Sequence, residues 1–510
     1  MDRELMTKEV LCILDTRQIQ RYIFRSNTFT DTIGGSDLVR HILSDAISHA
    51  LISIDKPLAK EEYSLSLEPK AEAIPYFTDS KVLFQLISCT AGNALCIVRT
   101  GELCQKIIRK VSRYYLENGY SLNLAAAAVA KTDNMGEDIN ALYRKLNDIK
   151  ASSDISDPLG ALPMVMKEKR TGEPVVAFDE ETGDYVSRAS LIRREEAKKR
   201  KNLFEIKDIK TTEAENGKSY LAYIHADGNN LGITTGKILQ TTPDYIEGIV
   251  ARRKINAGIE AAYRNLMNKT ETDLLAYYIN HGGEEKDFPG EFRIIHRAGD
   301  DVNLVCNAKY AFPFLDFFYR NIKGIIIWEK DGIRIPLYVC AGISFVTKDC
   351  SFHAAFNLAE ECCNSAKTAA KEERNLIDGQ AGNWVDFQIS DYSNVQELDL
   401  LRERAYHTTE GINLLLRPYS LNAKDQDRPY AYGKLMNRIH ALKKLSLPGQ
   451  QMKDMRQSYA MGRVEHIIWI QKMEEQGYSL MTNLGAPIYT DSEGQAHAVW
   501  FDAVELSDFV

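Results

Sequence analysis

Short apolar runs separated by polar turns recur along most of the chain and predict β-strands. Residues 10–15 and 222–227 are two such runs, and each ends in an acid, Asp15 and Asp227 respectively. Glycine and asparagine follow the second acid in the sequence Gly228-Asn229-Asn230, which indicates a turn. Both acids are therefore expected at the ends of buried strands.

A β-hairpin with two adjacent acids at its tip is predicted at Ala298-Gly299-Asp300-Asp301, because apolar residues 292–296 and 302–306 flank this turn. Neighbouring carboxylates repel each other at neutral pH, and a hard cation such as Mg²⁺ or Mn²⁺ removes that repulsion. An Asp-rich turn without any ligand is the alternative. Asp227, at the end of another strand, favours the metal site because two strand-end acid sites can converge on one pair of ions.

The order of elements around these acids occurs twice, which indicates an internal duplication. Three pairs of landmarks recur at near-constant spacing: Asp15 and Asp227 (227 − 15 = 212), Ala91 and Ala298 (298 − 91 = 207), and Lys150 and Lys367 (367 − 150 = 217). On this alignment Asn93 and Ala94 stand where the second copy has Asp300 and Asp301. The first copy is therefore expected to bind no divalent cation and to act as a scaffold or half-site.

Each copy reads strand, helical segment, hairpin, helix, strand, helix, which predicts an antiparallel sheet with helices on one face and the other face free. The predicted fold class is α+β, with two ferredoxin-like (βαββαβ) domains in tandem. We expect a first domain at residues 1–151, a linker or insertion at 152–219, a second domain at 220–392 and an α-helical C-terminal domain at 393–510.

Two charged segments lie outside the repeats. The run at residues 193–201 is predicted to be a solvated helix face. In the C-terminal domain, residues 430–447 and 451–476 have helical periodicity. The first of these helices has a predicted basic face formed by Lys434, Arg438, Lys443 and Lys444.

Composition and charge narrow the class of protein. The 510 residues are 44% hydrophobic and 26% charged, as in ordinary globular proteins. The net charge of −8 disfavours a surface that coats nucleic acid. Nine cysteines without a Cys-x-x-Cys pair indicate neither a disulfide framework nor a zinc ribbon. No apolar stretch is long enough for a membrane helix, so a cytoplasmic location and no membrane partner are predicted.

With both copies placed, the chain resembles the large palm-domain subunit of type III CRISPR effector complexes, which is related to GGDEF cyclases and carries a Gly-Gly-Asp-Asp hairpin in its second palm. The matching segments are LDTRQIQRYIF at residues 14–24, GGS at 34–36, DGNNLG at 227–232, AGDD at 298–301, AGIS at 341–344 and AEECCNSAK at 359–367. The resemblance is to a compact form without the HD nuclease domain, so DNA cleavage is not expected. Two departures from the family pattern are Ala298 in place of the first hairpin glycine and the absence of zinc-binding cysteines from residues 152–219.

The resemblance implies two palm (nucleotide-cyclase) domains and a nucleotidyltransferase that makes cyclic oligoadenylate messengers from ATP in CRISPR-linked antiviral defence. The 3′-hydroxyl of one nucleotide attacks the α-phosphate of another at a two-metal site. Asp227 and Asp300 are the predicted ligands of Mg²⁺ or Mn²⁺. Asp301 is predicted as a further ligand or a supporting acid, and the backbone of Gly228 completes the predicted metal site.

Further residues are predicted to contact nucleotides. Around the acids these are Asn229, Asn230 and Gly299, and on the helix after the last palm strand Lys367 is favoured over Lys371 as the triphosphate lysine. In the first copy, Gly34, Gly35 and Ser36 are expected to approach a second nucleotide.

His225 and His296 precede the acids by two and four residues, so strand alternation is expected to place each histidine on the face of its acid. They are interpreted as supporting residues of the site, with packed histidines as the alternative. Asp15 is expected to cap the helix that follows it.

Other functions stay open. The chain is alternatively a non-catalytic scaffold subunit of an RNA-guided complex, or a GGDEF-like cyclic dinucleotide synthase. A templated polymerase is disfavoured because no fingers or thumb is recognisable. Predicted partners are ATP, other CRISPR effector subunits with guide RNA and target RNA bound through residues 393–510, and a second copy of the chain in a homodimer.

Overall fold

The computed structural model describes residues 3–26, 28–90, 92–152, 163–199, 208–214, 216–229, 231–240, 242–330, 332–391, 397–491 and 493–510. The elements of the first part are β1 Val10–Arg17, α1 Ile19–Phe24, α2 Phe29–Ser53, β2 Tyr63–Ser64, β3 Phe84–Thr90, β4 Asn93–Val98, α3 Gly101–Asn118, β5 Asn123–Ala130, α4 Met135–Ser152, β6 Val175–Asp179, β7 Asp184–Ser187 and α5 Arg188–Ala197. Next come β8 Thr212–Glu213, β9 Ser219–Gly228, α6 Leu231–Gln240, α7 Tyr245–Asn280, β10 Phe292–Ala298, β11 Asp301–Asn307, α8 Ala311–Ile322, β12 Ile326–Lys330, β13 Ile333–Pro336, β14 Val339–Thr347, α9 Phe352–Lys371 and β15 Trp384–Ser390. The last elements are α10 Leu398–Ala405, β16 Tyr419–Ser420, α11 Tyr432–Leu445, α12 Gly449–Met461, α13 Arg463–Glu475, α14 Leu480–Leu484, β17 Ile488–Thr490, β18 Ala496–Ala498 and α15 Phe501–Leu506.

The chain divides into two compact units. The first unit comprises Met1–Glu205, Leu231–Tyr263 and Ile326–Ile335, and the second comprises Ile206–Asn230, Arg264–Ile325 and Pro336–Val510. The four-segment division expected from the sequence stays a prediction.

The two units contain sheets with the same core topology. In the first unit the strand order is β2-β3-β4-β1-β5, and in the second it is β10-β11-β9-β14-β15-β16 with β8 paired to β9. Both contain four antiparallel strands in the order of a ferredoxin-like βαββαβ domain, β3-β4-β1-β5 and β10-β11-β9-β14. The predicted α+β class with two such domains and a mostly helical C-terminal region is therefore confirmed.

The strand registers correct the alignment of the two copies by one residue. Asp15 faces Asn93 across β1 and β4, and Asp227 faces Asp301 across β9 and β11. Asn93 is thus the counterpart of Asp301, not of Asp300 as the sequence alignment had it. The two hairpins support this corrected alignment. The irregularity in strand pairing between Leu86 and Ser88 of β3 recurs at the equivalent place in β10, between Ile294 and His296.

Helices cover both faces of each sheet, so the prediction of a free face is wrong. In the second unit, Tyr223 of β9 packs edge-on against Phe352 and Phe356 of α9. On the other face, Phe345 of β14 stacks on Phe312 of α8. In the first unit α4 occupies the position of α9, where its apolar residues complete a buried core with alternate residues of β1, β4 and β5: Met135, Ile139, Leu142 and Leu146 on the helix, with Leu11, Ile13, Leu95, Ile97, Ala125 and Ala127 on the strands.

Arg193 and Arg194 of α5 are buried, so the prediction of a solvated helix face is wrong for these two residues of the run. Glu195, Lys198 and Lys199 are exposed, and Arg200 and Lys201 lie outside the described residues. Arg193 is fully buried and donates to the backbone oxygen of Tyr22 at 3.0 Å. Arg194 forms ion pairs with Asp31 at 3.0 Å and with Asp179 at 2.5 Å. Helix α5 is therefore packed against α2 through hydrogen-bonded guanidinium groups, which is how arginine tolerates burial.

The C-terminal helices differ from the predicted pattern in two details. The apolar periodicity of residues 451–476 belongs to two helices, α12 and α13, because Gly462 between them has φ +127° and ends the first. On α11, Arg438 is buried and donates to the backbone oxygen of Pro429, so it does not belong to the predicted basic face. Over the described residues, no helix is both long enough and apolar enough to cross a membrane.

Gly34 is expected to be required for packing α5 against α2. A Cβ atom on Gly34 lies 1.7 Å from the backbone oxygen of Arg193, so the two helices must separate to accept any side chain. Gly34→Ala should lower the free energy of unfolding by about 1–3 kcal/mol, measured by urea denaturation. The matched control is Gly236→Ala in α6, where a Cβ meets nothing within 4 Å. It should raise stability by about 0.5–1 kcal/mol, and equal effects of the two variants would contradict the packing argument.

Candidate active site

Two strands and one hairpin bring the predicted acids together. Asp227 near the end of β9 and Asp301 at the start of β11 face each other in the antiparallel register. The hairpin turn between β10 and β11 is Gly299-Asp300, in which Gly299 has φ +62°. Ala298 is the last residue of β10, and the left-handed conformation of the turn falls on Gly299.

Burial and mutual repulsion disfavour the ionised forms of the two hairpin acids. Burial, with the neighbouring Asp227 carboxylate, raises the pKa of Asp300 to about 6. Burial raises the pKa of Asp301 to about 7; His225 opposes this shift and Asp227 and Asp300 add to it. Negative charge is therefore concentrated here beyond what the nearby cations neutralise.

Lys367 of α9 contributes a cation to this cluster. Its ammonium forms an ion pair with the carboxylate of Asp227. Burial lowers the pKa of Lys367, but the Asp227 carboxylate outweighs that effect and raises the pKa above its usual value. Lys371, the competing candidate, is exposed at the end of the same helix. The geometry thus places Lys367 at the acids, and its contact with a triphosphate stays a prediction.

The first unit contains the counterpart of this arrangement with two acids fewer. Lys150 forms an ion pair with Asp15 at 2.6 Å, and the side-chain amide of Asn93 donates to Asp15 at 3.1 Å. Asp15 lies within β1 and the residue that caps α1 is Gln18, so the predicted capping role of Asp15 is wrong. Lysine and amide together satisfy this single carboxylate.

His225 and His296 lie in one row across the sheet, on either side of a residue that the sequence analysis missed. Asn303 faces His225 on β9 and His296 on β10. The side-chain oxygen of Asn303 is 2.8 Å from Nδ1 of His225, and its nitrogen donates to Asp301 at 2.7 Å. The alternation argument does not apply to His296, because Asp300 lies in the turn and β10 has a register shift before His296. Asn303 could have been identified from the sequence, because it lies two residues after Asp301 on an extended strand and therefore on the same face of the sheet.

The residues after Asp227 are held mainly by the protein itself. The side-chain nitrogen of Asn229 donates to the backbone oxygen of Gly382 at 2.5 Å and to the sulfur of Cys340 at 3.0 Å. These bonds connect the end of β9 to neighbouring segments and give the buried Asn229 a structural role. Gly228 is the last residue of β9, and Asn230 lies outside the described residues. Nucleotide or metal contacts of these residues stay predictions.

Gly34, Gly35 and Ser36 lie inside α2 rather than in a loop, and all three are buried. The close approach of Arg193 accounts for the glycines: beside the contact at Gly34, a Cβ on Gly35 lies 3.2 Å from the side chain of Arg193. A nucleotide could reach these residues only if α5 moved. Their nucleotide-binding role is thus a prediction to which the structure supplies an alternative.

The acids of the second unit fit a divalent cation by the chemistry of their donor atoms. Carboxylate oxygens are the ligands that Mg²⁺ and Mn²⁺ prefer. Burial first, and the neighbouring carboxylates second, raise the pKa values of Asp300 and Asp301, and a bound cation would favour their ionised forms. Across the described ranges, no three His, Cys, Asp or Glu side chains are already arranged as a formed metal site. Asp227 is instead paired with Lys367, so the ligand role of the three acids stays a prediction.

Comparison with known proteins gives matches among solved structures only. No protein-family model matches the chain, and no curated protein matches it. Csm1 from T. onnurineus superimposes with a TM-score of 0.54 at 13% identity, over 99% of this chain and 69% of that one. A Csm1-Csm4 cassette in complex with pppApApA gives 0.54 at 13% identity over 98% and 70%, and a cassette in complex with one ATP gives 0.52 at 13% over 99% and 70%.

The chain has the fold of Csm1. The agreement spans nearly the whole chain, and it confirms at the level of fold the predicted resemblance to the palm-domain subunit of type III CRISPR complexes. At 13% identity the Csm1 fold alone is established. The chemistry has to be argued from the acids of this chain.

Removing one hairpin acid should stabilise the metal-free protein. Because Asp301 has a folded-state pKa of about 7 against a usual value of 3.8, its ionisation costs stability fully above pH 7, and that cost disappears as the pH falls toward 4. In EDTA at pH 8, Asp301→Asn should raise the thermal unfolding midpoint by about 2–4 °C, corresponding to ~1 kcal/mol. The gain should shrink between pH 7 and pH 5.

The matched control for this measurement is Asp15→Asn in the first unit. It removes a carboxylate that Lys150 and Asn93 already satisfy, so no gain is expected at pH 8. A lower unfolding midpoint for Asp301→Asn than for the unmodified protein at pH 8 would contradict the proposed charge repulsion.

Proposed function

We propose that this protein is a metal-dependent nucleotidyltransferase that makes cyclic oligoadenylate-type messengers from ATP in CRISPR-linked antiviral defence. The observation that carries the proposal is the cross-strand pair Asp227 and Asp301, with Asp300 in the adjoining turn and Lys367 on the following helix. Two structures with the same fold contain ATP or pppApApA, which supports adenine nucleotides as the substrate class.

The acids hold and orient the reacting groups in this proposal. Asp227, Asp300 and Asp301 bind the divalent cation, and the backbone of Gly228 lies next to them. Bound there, Mg²⁺ or Mn²⁺ supplies charge stabilisation at the α-phosphate and lowers the pKa of the attacking 3′-hydroxyl. Lys367 lies within ion-pair reach of Asp227, so its ammonium can also reach phosphate oxygens that bind beside this carboxylate.

A scaffold function is the second candidate, because the two nucleotide-containing structures are cassettes of Csm1 with Csm4. We propose that this chain likewise associates with another effector subunit, and with guide and target RNA, through its C-terminal region. Asp300 and Asp301, whose ionised forms are disfavoured by burial, are costly in a chain that only organises partners. Catalysis with a partner is therefore favoured over scaffolding alone.

Product analysis tests the enzyme proposal directly. The purified protein is incubated with ATP, or separately GTP, in the presence of Mg²⁺ or Mn²⁺, and the products are identified by mass spectrometry. The unmodified protein should convert ATP to cyclic or linear oligoadenylates, whereas Asp300→Ala/Asp301→Ala should make none. Conversion of GTP alone would support the GGDEF-like alternative. No product with either nucleotide, even after addition of partner subunits and target RNA, would refute the enzyme and favour the scaffold.

Lys367 should matter more to the reaction than Lys371. Removing an ammonium that meets the triphosphate costs transition-state stabilisation, so Lys367→Ala should lower kcat/KM for ATP by about 100-fold. Lys371→Ala, the comparison one helical turn away, removes an exposed lysine and should have a smaller effect. Equal losses in kcat/KM would show that the ion pair with Asp227 does not identify the triphosphate lysine.

A further inference from the structure

We propose that Asn303 is a positioning residue that fixes the carboxylate of Asp301 for metal binding, with His225 fixing Asn303 in turn. The inference rests on the proposed metal-dependent function and deepens it. Asn303 is a fully buried side chain of β11, at 2% exposure, and makes two hydrogen bonds, to Asp301 at 2.7 Å and to His225 at 2.8 Å. Asn303 thus connects the hairpin acid to a buried histidine, and Nδ1 of His225 also lies 3.4 Å from the carboxylate of Asp301.

The chemistry of the three groups allows only one direction of hydrogen bonding when Asp301 is ionised. A carboxylate only accepts, so the side-chain nitrogen of Asn303 must face Asp301 and its oxygen must face His225. Nδ1 of His225 then carries the hydrogen and donates to that oxygen. Each bond fixes the next side chain, so Asp301 is held in one rotamer before any cation arrives.

The first unit serves as an internal comparison for this row. Its strands have the same register and the same shift in the hairpin, but the equivalent row reads Ile13 on β1, Leu95 on β4 and Ser88 on β3. Two of the three polar residues of the second unit are therefore replaced by aliphatic ones in the copy that also lacks both hairpin acids. The fold itself does not require Asn303 or His225.

Burying the polar side chains of this row lowers stability, so a functional reason for keeping them is expected. His225, Asn303 and His296 are exposed by only 6%, 2% and 4%, and buried polar groups are tolerated when hydrogen bonds replace their water. Aliphatic residues fill two of the three equivalent positions in the first unit without that requirement. Hydrogen-bonded partners of metal ligands orient the ligand, and their loss typically lowers metal affinity about 10–100-fold. Asn303 has the geometry of such a partner for Asp301.

Direct titration of the full-length protein with Mn²⁺, followed through the electron paramagnetic resonance signal of the free ion, tests the proposal without relying on activity. Asn303→Leu, which introduces the residue of the first unit, should lower Mn²⁺ affinity about 10-fold or more. The Mg²⁺ concentration for half-maximal activity should rise by a similar factor, and saturating Mg²⁺ should restore most of kcat. Asp301→Asn should not be rescued in this way.

The matched control is Leu304→Val, on the same strand with its side chain on the other face of the sheet. It perturbs packing equally close to the hairpin and should lower the thermal midpoint while leaving Mn²⁺ affinity unchanged. Asn303→Ala is titrated in the same way if Asn303→Leu does not fold.

The outcomes separate this inference from the proposed function. A folded Asn303 variant that binds Mn²⁺ within twofold of the unmodified protein overturns the positioning role. An unmodified protein that binds no Mn²⁺ overturns it as well. If the protein binds Mn²⁺, the Asn303 variants bind it more weakly and no oligonucleotide is made, then the positioning role stands and the proposed reaction fails.

Discussion

The register of one antiparallel strand pair is the constraint on which the site depends. Asp227 and Asp301 meet because β9 and β11 pair at that position, and a slip by one residue would turn either side chain to the opposite face. The tight turn containing Gly299 and the register shift in β10 both fix the hairpin in this alignment. The first unit has the same register, and there the pairing of β1 with β4 places Asp15 opposite Asn93.

The two units share the order and register of their four core strands. They differ in the side chains that these strands carry. In the first unit the row behind the acid is mostly aliphatic and belongs to a core completed by α4. In the second unit the row is polar and hydrogen-bonded to Asp301. Burying polar groups lowers stability relative to aliphatic packing, so the second unit gives up core stability where it organises the acids. The first unit keeps the geometry without that cost.

The sequence was sufficient for the strands, the hairpin, the duplication and the family fold, because strand alternation and the glycine turn are local signals. The environment of a side chain whose partners are distant in the sequence could not be predicted from such local signals. Arg193 and Arg194 looked like a solvated run because their partners on α1, α2 and β6 are far away in the chain. The GGS segment was expected to approach a second nucleotide, whereas α5 lies against it. Asn303 was overlooked because an isolated asparagine in an apolar strand acquires meaning only from the residues opposite it.

The charge balance of the two sites gives the duplication a physical interpretation. In the first unit one carboxylate, Asp15, is matched by one ammonium, Lys150, and the site is neutral. In the second unit three carboxylates surround one lysine, so full ionisation leaves an excess of two negative charges. A single divalent cation carries the charge that neutralises this excess, whereas a further lysine would leave half of it. Burial raises the pKa values of Asp300 and Asp301, and repulsion between the carboxylates adds to the shift. Aspartate in place of the Asn93 position, with a further acid in the turn, is thus the chemical difference between the two sites.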